Sequence, residues 1–558
     1  MGLPDASLWV VFNGEIYNFK ELRAELGKKG YTFLSQGDTE TLLHGFREWG
    51  EALPEHLEGM FAFALWDNER KRLFLARDRM GKKPLFYWRK GHRLWFASSL
   101  AALEPELPEL TVDPKALDHF LRYRFIPDSL CIYKEVKRVP PASSITCTAD
   151  DTRLKYYWQP VVQEASTGPL TLKETINHVE ETLQRAIVRR LVADVPVGIF
   201  LSGGVDSTAV AALSVRHNPD IHAYHITSAD NDERIYARMA ARHLGIKLEE
   251  CEIDASSWDH VLTVHSAFGE PFADPAAMNN ALLAEAARSQ ITVALSGDGG
   301  DEVFAGYGHI VRERRSQLIR RFTPPAVIPP LAGFLDLLPL CRVGKLARLF
   351  REAAVLPPDR FGERDLLLHL GSEIYTQDIA TELAGWQSDS NYHKYYNELN
   401  SEDSIKRILY ADMKMRLVGE FLPRLDVTSM ASSLEIRSPF LDREIVELGM
   451  CLPTHYLVTP SRAKHILRLL VSKLVPREII DRPKQGFQFS VLNALRTHWR
   501  NNARQLLREE RPALSLWLSN SLLKKIVDDA AWHTDDALEL AWRLVCLAAW
   551  TRTVRHRL

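Results

Sequence analysis

Six cysteines in 558 residues, at 131, 147, 251, 341, 451 and 546, are too few and too scattered for a disulfide frame. No Cys-x-x-Cys pair occurs among them, so no thiolate zinc site is expected and the thiols read as reduced. Neither sign of charge dominates: 70 Lys and Arg face 72 Asp and Glu, which gives no footprint for nucleic acid or an anionic lipid surface. Long apolar runs are missing too. The stretch Pro324 to Leu340 comes nearest, and its prolines and Asp336 break it well short of a membrane span. The opening Met1-Gly2-Leu3-Pro4-Asp5 has neither the basic start nor the apolar core of a secretion signal, and Ala6 stands where a myristoylation signal needs Ser or Thr. There is no Gly-x-x-x-x-Gly-Lys-Ser/Thr, so a Walker-type nucleotide site is excluded, and no internal repeat is found. What remains is a chain too long for one core, expected in the cytoplasm and divided into two domains.

The most informative segment is Leu201-Ser202-Gly203-Gly204-Val205-Asp206-Ser207, placed directly after the apolar run Val195 to Phe200. The run predicts a strand buried on both faces, and Ala209 to Leu213 predicts a helix after a six-residue loop. Gly203 and Gly204 let the backbone approach a ligand, while the helix start offers unpaired N–H groups and partial positive charge. Ser202 and Ser207 complete a cradle for an anion. Asp206 would repel a phosphate unless a divalent cation lay between them, so the pattern points to Mg2+ and the pyrophosphate of ATP. The plain alternative is a Gly-rich strand-to-helix turn.

The first part of the chain reads as β-rich. Leu8 to Phe12, Met60 to Trp66 and Arg72 to Ala76 predict strands, with turns at Asn13-Gly14 and Asp67-Asn68 and helices at Phe19 to Lys29 and Thr39 to Glu48. A proline-bearing connector follows, and the domain boundary is placed near Thr167-Gly168-Pro169, giving domains of 1–168 and 169–558. Thr171-Leu172-Lys173-Glu174 has capping-box form and opens an amphipathic helix. Strands at Ile221 to Ile226, Ile246 to Ile253 and Ile291 to Leu295, alternating with helices such as Glu233 to Leu244, predict a doubly wound parallel sheet with a helical C-terminal part beyond Tyr307.

In such sheets ligands bind outside the carboxyl ends of the strands. The ends at Leu201, Ile226 and Leu295 should therefore share one crevice. Ile226 could pack on adenine, Ser296 and Gly297 could meet the nucleotide through backbone, and Asp301 could join Asp206 on Mg2+. The bland reading of Asp298 to Glu302 is a solvated acidic turn or a calcium loop. A cation must offset charge on the phosphates, and Lys464 in Ser461 to Arg468 is the best candidate, although a basic helix face is usually solvated. Arg482-Pro483-Lys484-Gln485-Gly486-Phe487 carries the same ambiguity.

The loop at 202–207 resembles the signature of ATP pyrophosphatases. Together with Ser296 to Tyr307, Ser429 to Asp442, Lys464 to Arg468 and 482–487, it resembles the glutamine-hydrolysing asparagine synthetase family. Phe12 to Asn18, Gly37 to Glu40 and Ala76 to Leu85 resemble the glutaminase half of that family, so the resemblance spans the chain. It implies an αββα glutaminase domain of the N-terminal-nucleophile type followed by the ATP-pyrophosphatase domain. It also implies adenylylation of the aspartate β-carboxylate by ATP and attack by ammonia. By position, Asp206 and Asp301 would hold Mg2+ and Lys464 would stabilise the transferring phosphate. Asp298 would sit at an acidic position important for the acyl-adenylate. Asn13, Gly14 and Glu15 would border the glutamine pocket, with Asp38 on the glutamine α-amino group.

Two departures stand out. The family's opening Met-Cys-Gly-Ile and its Arg-His-Arg-Gly-Pro-Asp segment are absent, Met1-Gly2-Leu3-Pro4 standing at the start and the first cysteine being Cys131. The expectation is a truncated glutaminase domain that cannot hydrolyse glutamine, arising from a start-site error or from real loss, with poor solubility as its physical consequence. Val427 replaces a usual basic residue, which weakens any role carried over to Asp426. A related ligase or cyclase acting on another carboxylate, such as a cell-surface saccharide precursor, and a non-catalytic relic are the alternatives. The expected partners are small molecules (aspartate, ATP, glutamine or ammonia) with no nucleic acid and no membrane, and a homodimer is left open.

Overall fold

The computed structural model describes residues 1–554 apart from 108–109, 161–170, 228–233, 253–256, 337–340, 363–364, 370–373, 482–490 and 529–531. The first part builds eight strands: β1 (Leu8–Ile16), β2 (Gly59–Asp67), β3 (Arg72–Arg77), β4 (Phe86–Lys90), β5 (Arg93–Ala97), β6 (Lys137–Arg138), β7 (Ser143–Cys147) and β8 (Thr152–Tyr156). They form an antiparallel sheet of order β1-β2-β3-β7-β8 and a smaller one of order β5-β4-β6. Alternation along β2 decides the layering. Phe61, Phe63 and Leu65 pack with Leu22, Leu42, Leu43 and Phe46 of the helices Phe19–Lys28 and Thr39–Trp49. Ala62 and Ala64 turn the other way, to a cluster with Leu85, Val139 and Ile145 and with Tyr87 and Phe96 of the second sheet. The far side of β4, through Phe86 and Trp88, joins the helical core of the second half.

Asn13-Gly14 is not a turn. Both residues lie inside β1, paired with Ala62 and Phe61, because nine consecutive pairs with β2 outweigh a two-residue turn preference. Residues 1–8 fold back on the outer edge of β1. Val10 donates to the Met1 carbonyl at 2.8 Å, and the Met1 ammonium donates to the Val10 carbonyl at 2.9 Å. Trp9 and Val11 stay exposed on the face turned away from the helices.

The second part opens with the capping box at Thr171 and Glu174, and the helix Leu172–Leu191 follows as expected. Strands β9 (Val197–Phe200), β10 (His222–Thr227), β11 (Leu248–Glu252), β12 (Val293–Leu295) and β13 (Glu435–Arg437) form an all-parallel sheet of order β11-β10-β9-β12-β13. The chain leaves β9 toward β10 on one side and returns to β12 on the other. The crevice at that switch point is where the rule for open sheets puts a ligand. Strand β13 was not expected, since the chain beyond Tyr307 is otherwise helical. The expected boundary at 167–169 lies outside the described residues, as does part of the 324–340 stretch. No helix among the described residues is long and apolar enough to cross a membrane. Cys131, Cys147, Cys251, Cys451 and Cys546 are free thiols.

The halves are joined by buried polar contacts centred on the segment after β3. Asp78 accepts the backbone N–H groups of Met80, Lys82 and Lys83, which fixes that turn. Lys83 Nζ then reaches Asp426 at 2.6 Å and Lys82 Nζ donates to Ser438 at 3.2 Å. Burial, helped by Lys83 and Arg190, draws the Lys82 ammonium down to about 7. Between that value and the ordinary 10.5 the unfolded chain holds a proton that the folded one has lost, so this group makes the fold more stable as pH rises through that window. Replacing Lys82 by Met should therefore raise the melting temperature by a few degrees at about pH 6 and by much less at about pH 10, read by calorimetry. An equal change at both values would contradict a buried ammonium.

Candidate active site

The loop between β9 and the helix Val205–Ser214 is shorter than expected, Leu201 to Gly204, and the helix begins before Ala209. Asp206 and Ser207 thus lie in its first turn. Two serines brace the loop: Ser202 Oγ accepts the Gly204 N–H at 3.2 Å, and Ser207 Oγ accepts the Ser202 N–H at 3.2 Å. No side chain caps the helix, which leaves its N-terminal end open to the crevice for an anion. Gly203 has φ +70°, and a Cβ there would lie 2.6 Å from the Tyr236 carbonyl carbon, so only glycine fits.

The loop after β12 comes against this one. Ser296 donates its N–H to the Arg437 carbonyl at 3.0 Å, and Gly297 packs on the backbone of Ser207. Asp301, in the short helix Gly300–Val303, meets Lys464 Nζ at 2.6 Å, and the same nitrogen contacts Asp206 Oδ2. Asp206 and Asp301 therefore share one cation. Lys464 is 5% exposed and sits in the left-handed region (φ 54°), which costs a non-glycine residue about 1–2 kcal/mol. Burial disfavours its charge, but the two carboxylates outweigh burial and hold the ammonium well above its ordinary value. Burial and Asp301 raise the neighbouring Glu302 to about 7. Gly306 makes this approach possible, because a Cβ at 306 would meet Asp301 Oδ1 at 1.8 Å and Lys464 Cε at 2.2 Å.

Asp298 stands at the mouth of the same crevice, 4.0 Å from Arg424, whose other nitrogen pairs with Asp274 at 2.6 Å. Ile226, next to last in β10, is buried among Tyr224, Leu283, Ala294 and Leu434, so its side chain lies largely within the core. The basic loop 482–487 lies outside the described residues. In the first half, Asn13, Gly14 and Glu15 lie side by side on β1, and Asp38 accepts the Ile16 N–H at 3.0 Å. Burial first, against Arg437 at 3.3 Å and with Asp38 nearby, raises Glu15 to about 7, and burial raises Asp38 too.

A family model described as asparagine synthase matches residues 178–552, and a glutamine amidotransferase domain matches residues 1–158. The chain belongs to the asparagine synthase family. Asparagine synthetase [glutamine-hydrolyzing] 1 of Bacillus subtilis is 28% identical over 565 residues, covering 99% of this chain and 86% of that protein. A putative asparagine synthetase [glutamine-hydrolyzing] of Mycobacterium bovis is 31% identical over 510 residues, covering 87% and 76%. Amidase chry2 of Gibberella zeae is 26% identical, covering 86% and 76%. Because the amidotransferase match runs from residue 1, the expected truncation of that domain is not supported.

Within this family member, several polar residues at the sites were not found from the sequence. Arg437 links Ser296 to Glu15, Arg424 stands beside Asp298, and Asp426 pairs with Lys83 although Val427 had cast doubt on it. None of the three sits in a spacing that names its chemistry. Only contacts between segments hundreds of residues apart reveal them. The Gly306 geometry gives a direct test. Gly306→Ala should weaken Mg·ATP binding by ~100-fold in calorimetric titration while circular dichroism stays native, since the added methyl displaces Asp301 and Lys464. Unchanged binding would show that the two loops need not approach so closely.

Proposed function

We propose that this chain is an ATP-dependent ligase that forms asparagine. In the proposed reaction an aspartate β-carboxylate oxygen attacks the α-phosphorus of ATP and pyrophosphate leaves. The nitrogen of ammonia then attacks the acyl carbon and AMP leaves. The observation that carries this reading is the meeting of Asp206, Asp301 and Lys464 at the switch point, beside a helix start free for a phosphate. Two carboxylates aimed at one positive charge also fit Mg2+, which takes one or two carboxylates along with phosphate oxygens. Asp206 and Asp301 would hold that ion, which when bound offsets the charge of the phosphates. Lys464 would then pair with the phosphate whose charge grows as the bond to pyrophosphate breaks. The Ser202 to Ser207 loop grips the diphosphate, and Ser296 and Gly297 meet the nucleotide through backbone. Asp298 faces the acyl-adenylate.

In the amidotransferase half, Glu15 and Asp38 crowd two carboxylates together, an arrangement suited to the α-ammonium of glutamine. Asn13 and Gly14 would border that pocket. No described cysteine lies beside it. Cys147 pairs through Leu73 and Trp66 with Trp9, about 13 Å along the strand from Asn13. Cys131 sits in the core shared by the two halves, its thiol pushed up to about 12 by burial. Ammonia supplied directly bypasses that half and isolates the ligase reaction.

Pyrophosphate release with ATP, Mg2+, aspartate and ammonium chloride tests the reading. The wild-type chain should turn over, and Asp206→Asn should fall by ~100-fold or more while remaining folded. Release that ignores aspartate, or that survives Asp206→Asn, would overturn the assignment.

A further inference from the structure

Next to the Lys464 contacts lies a second charged cluster that the nucleotide chemistry leaves unused. Met413–Phe421 is wound as nine residues of π-helix, a form rare over such a length and frequent at functional sites. It presents Arg416, Glu420 and Phe421 toward the loop that follows β12. The Phe421 ring lies between two guanidinium groups, Arg416 at 4.7 Å and Arg424 at 5.2 Å. Arg424 is taken up by Asp274 and stands by Asp298.

Arg416 is less committed. Its Nε donates to Glu420 at 3.2 Å and its plane lies over Tyr307 at 5.1 Å, directly beyond Gly306. Nη1 is buried and has no hydrogen-bond partner among the described residues, in a side chain only 9% exposed. A buried N–H left unpaired costs about 1–3 kcal/mol, a cost recovered when an acceptor enters. Two nearby acids are engaged elsewhere: Asp412 accepts from His309 at 2.8 Å, and Glu302 accepts from the Tyr307 hydroxyl. A guanidinium with a free edge, flanked by aromatic faces, suits a planar carboxylate.

We propose that Arg416 binds the non-reacting carboxylate of the acceptor, which makes the site selective for dicarboxylic amino acids. The α-carboxylate of the acceptor pairs with Arg416 while its side-chain carboxylate is presented toward Asp298 and the phosphates. This inference rests on the reading that the chain adenylylates an amino-acid carboxylate.

The test measures pyrophosphate release by wild type, Arg416→Gln and Arg416→Lys, with aspartate and with aspartate α-amide as acceptors. Arg416→Gln should raise KM for aspartate on the order of 100-fold and leave KM for ATP within about 2-fold. Wild type should use the α-amide as poorly as Arg416→Gln does, because neither pair then contains both the guanidinium and the carboxylate. Arg416→Lys, which keeps the charge and the packing of the stem, should recover part of the aspartate affinity. An unchanged KM for aspartate in Arg416→Gln, or an equal loss with both acceptors, would overturn the carboxylate role. Should wild type release no pyrophosphate with aspartate while exchanging it with another acid, the proposed function fails first and this inference with it.

Discussion

Two ionised carboxylates in a half-buried crevice repel one another, and Lys464 offsets that repulsion by pairing with both Asp206 and Asp301. Much of the second half is arranged around this requirement. Asp206 comes from the first turn of the helix after β9, Asp301 from the short helix after β12, and Lys464 from a strained residue before the helix His465–Val471. Removing three charges from water costs several kcal/mol each and is repaid only by close pairing. The positions that permit such pairing, Gly203 and Gly306, are accordingly those with no room for a side chain.

A second constraint binds the halves to one another. Strand β13 contributes its Arg437 carbonyl to Ser296 at the nucleotide crevice, while the Arg437 guanidinium reaches Glu15 and lies over the Tyr17 ring at 5.5 Å. Lys82 touches Ser438, which lies 3.3 Å from Ser296 Oγ. Between these contacts lies a narrow polar pocket lined by Tyr17, Glu58, Arg79, Lys82, Arg190 and Ser438. Glu15 of the first half and Ser296 of the second are thus bridged by one residue, Arg437.

The parts legible in the sequence were those in which a local pattern carries its own physics. The capping box at Thr171 and the strand ending at Phe200 were read correctly from neighbouring residues alone, while the Gly-Gly loop was placed correctly but given two residues too many. Asn13-Gly14 misled because turn chemistry is local, whereas the strand it sits in is fixed by Phe61 and Ala62 far along the chain. Strand β13 was missed because three residues with a single β-branched side chain leave no periodicity. Lys464 was only a weak candidate until its ammonium was found on Asp206, 258 positions earlier. Arg416 had no sequence signal, and Arg437 was only part of the Ser429 to Asp442 segment with no role attached, since the meaning of both lies in what they touch across elements.

The most direct test of this account is a crystal structure with Mn2+ and pyrophosphate, the ion located by its anomalous scattering. The account predicts one ion between Asp206 and Asp301, with Lys464 withdrawn from both carboxylates and placed on the diphosphate. An ion bound elsewhere, or pyrophosphate seated away from Ser202 to Ser207 with Lys464 still between its two aspartates, would contradict it.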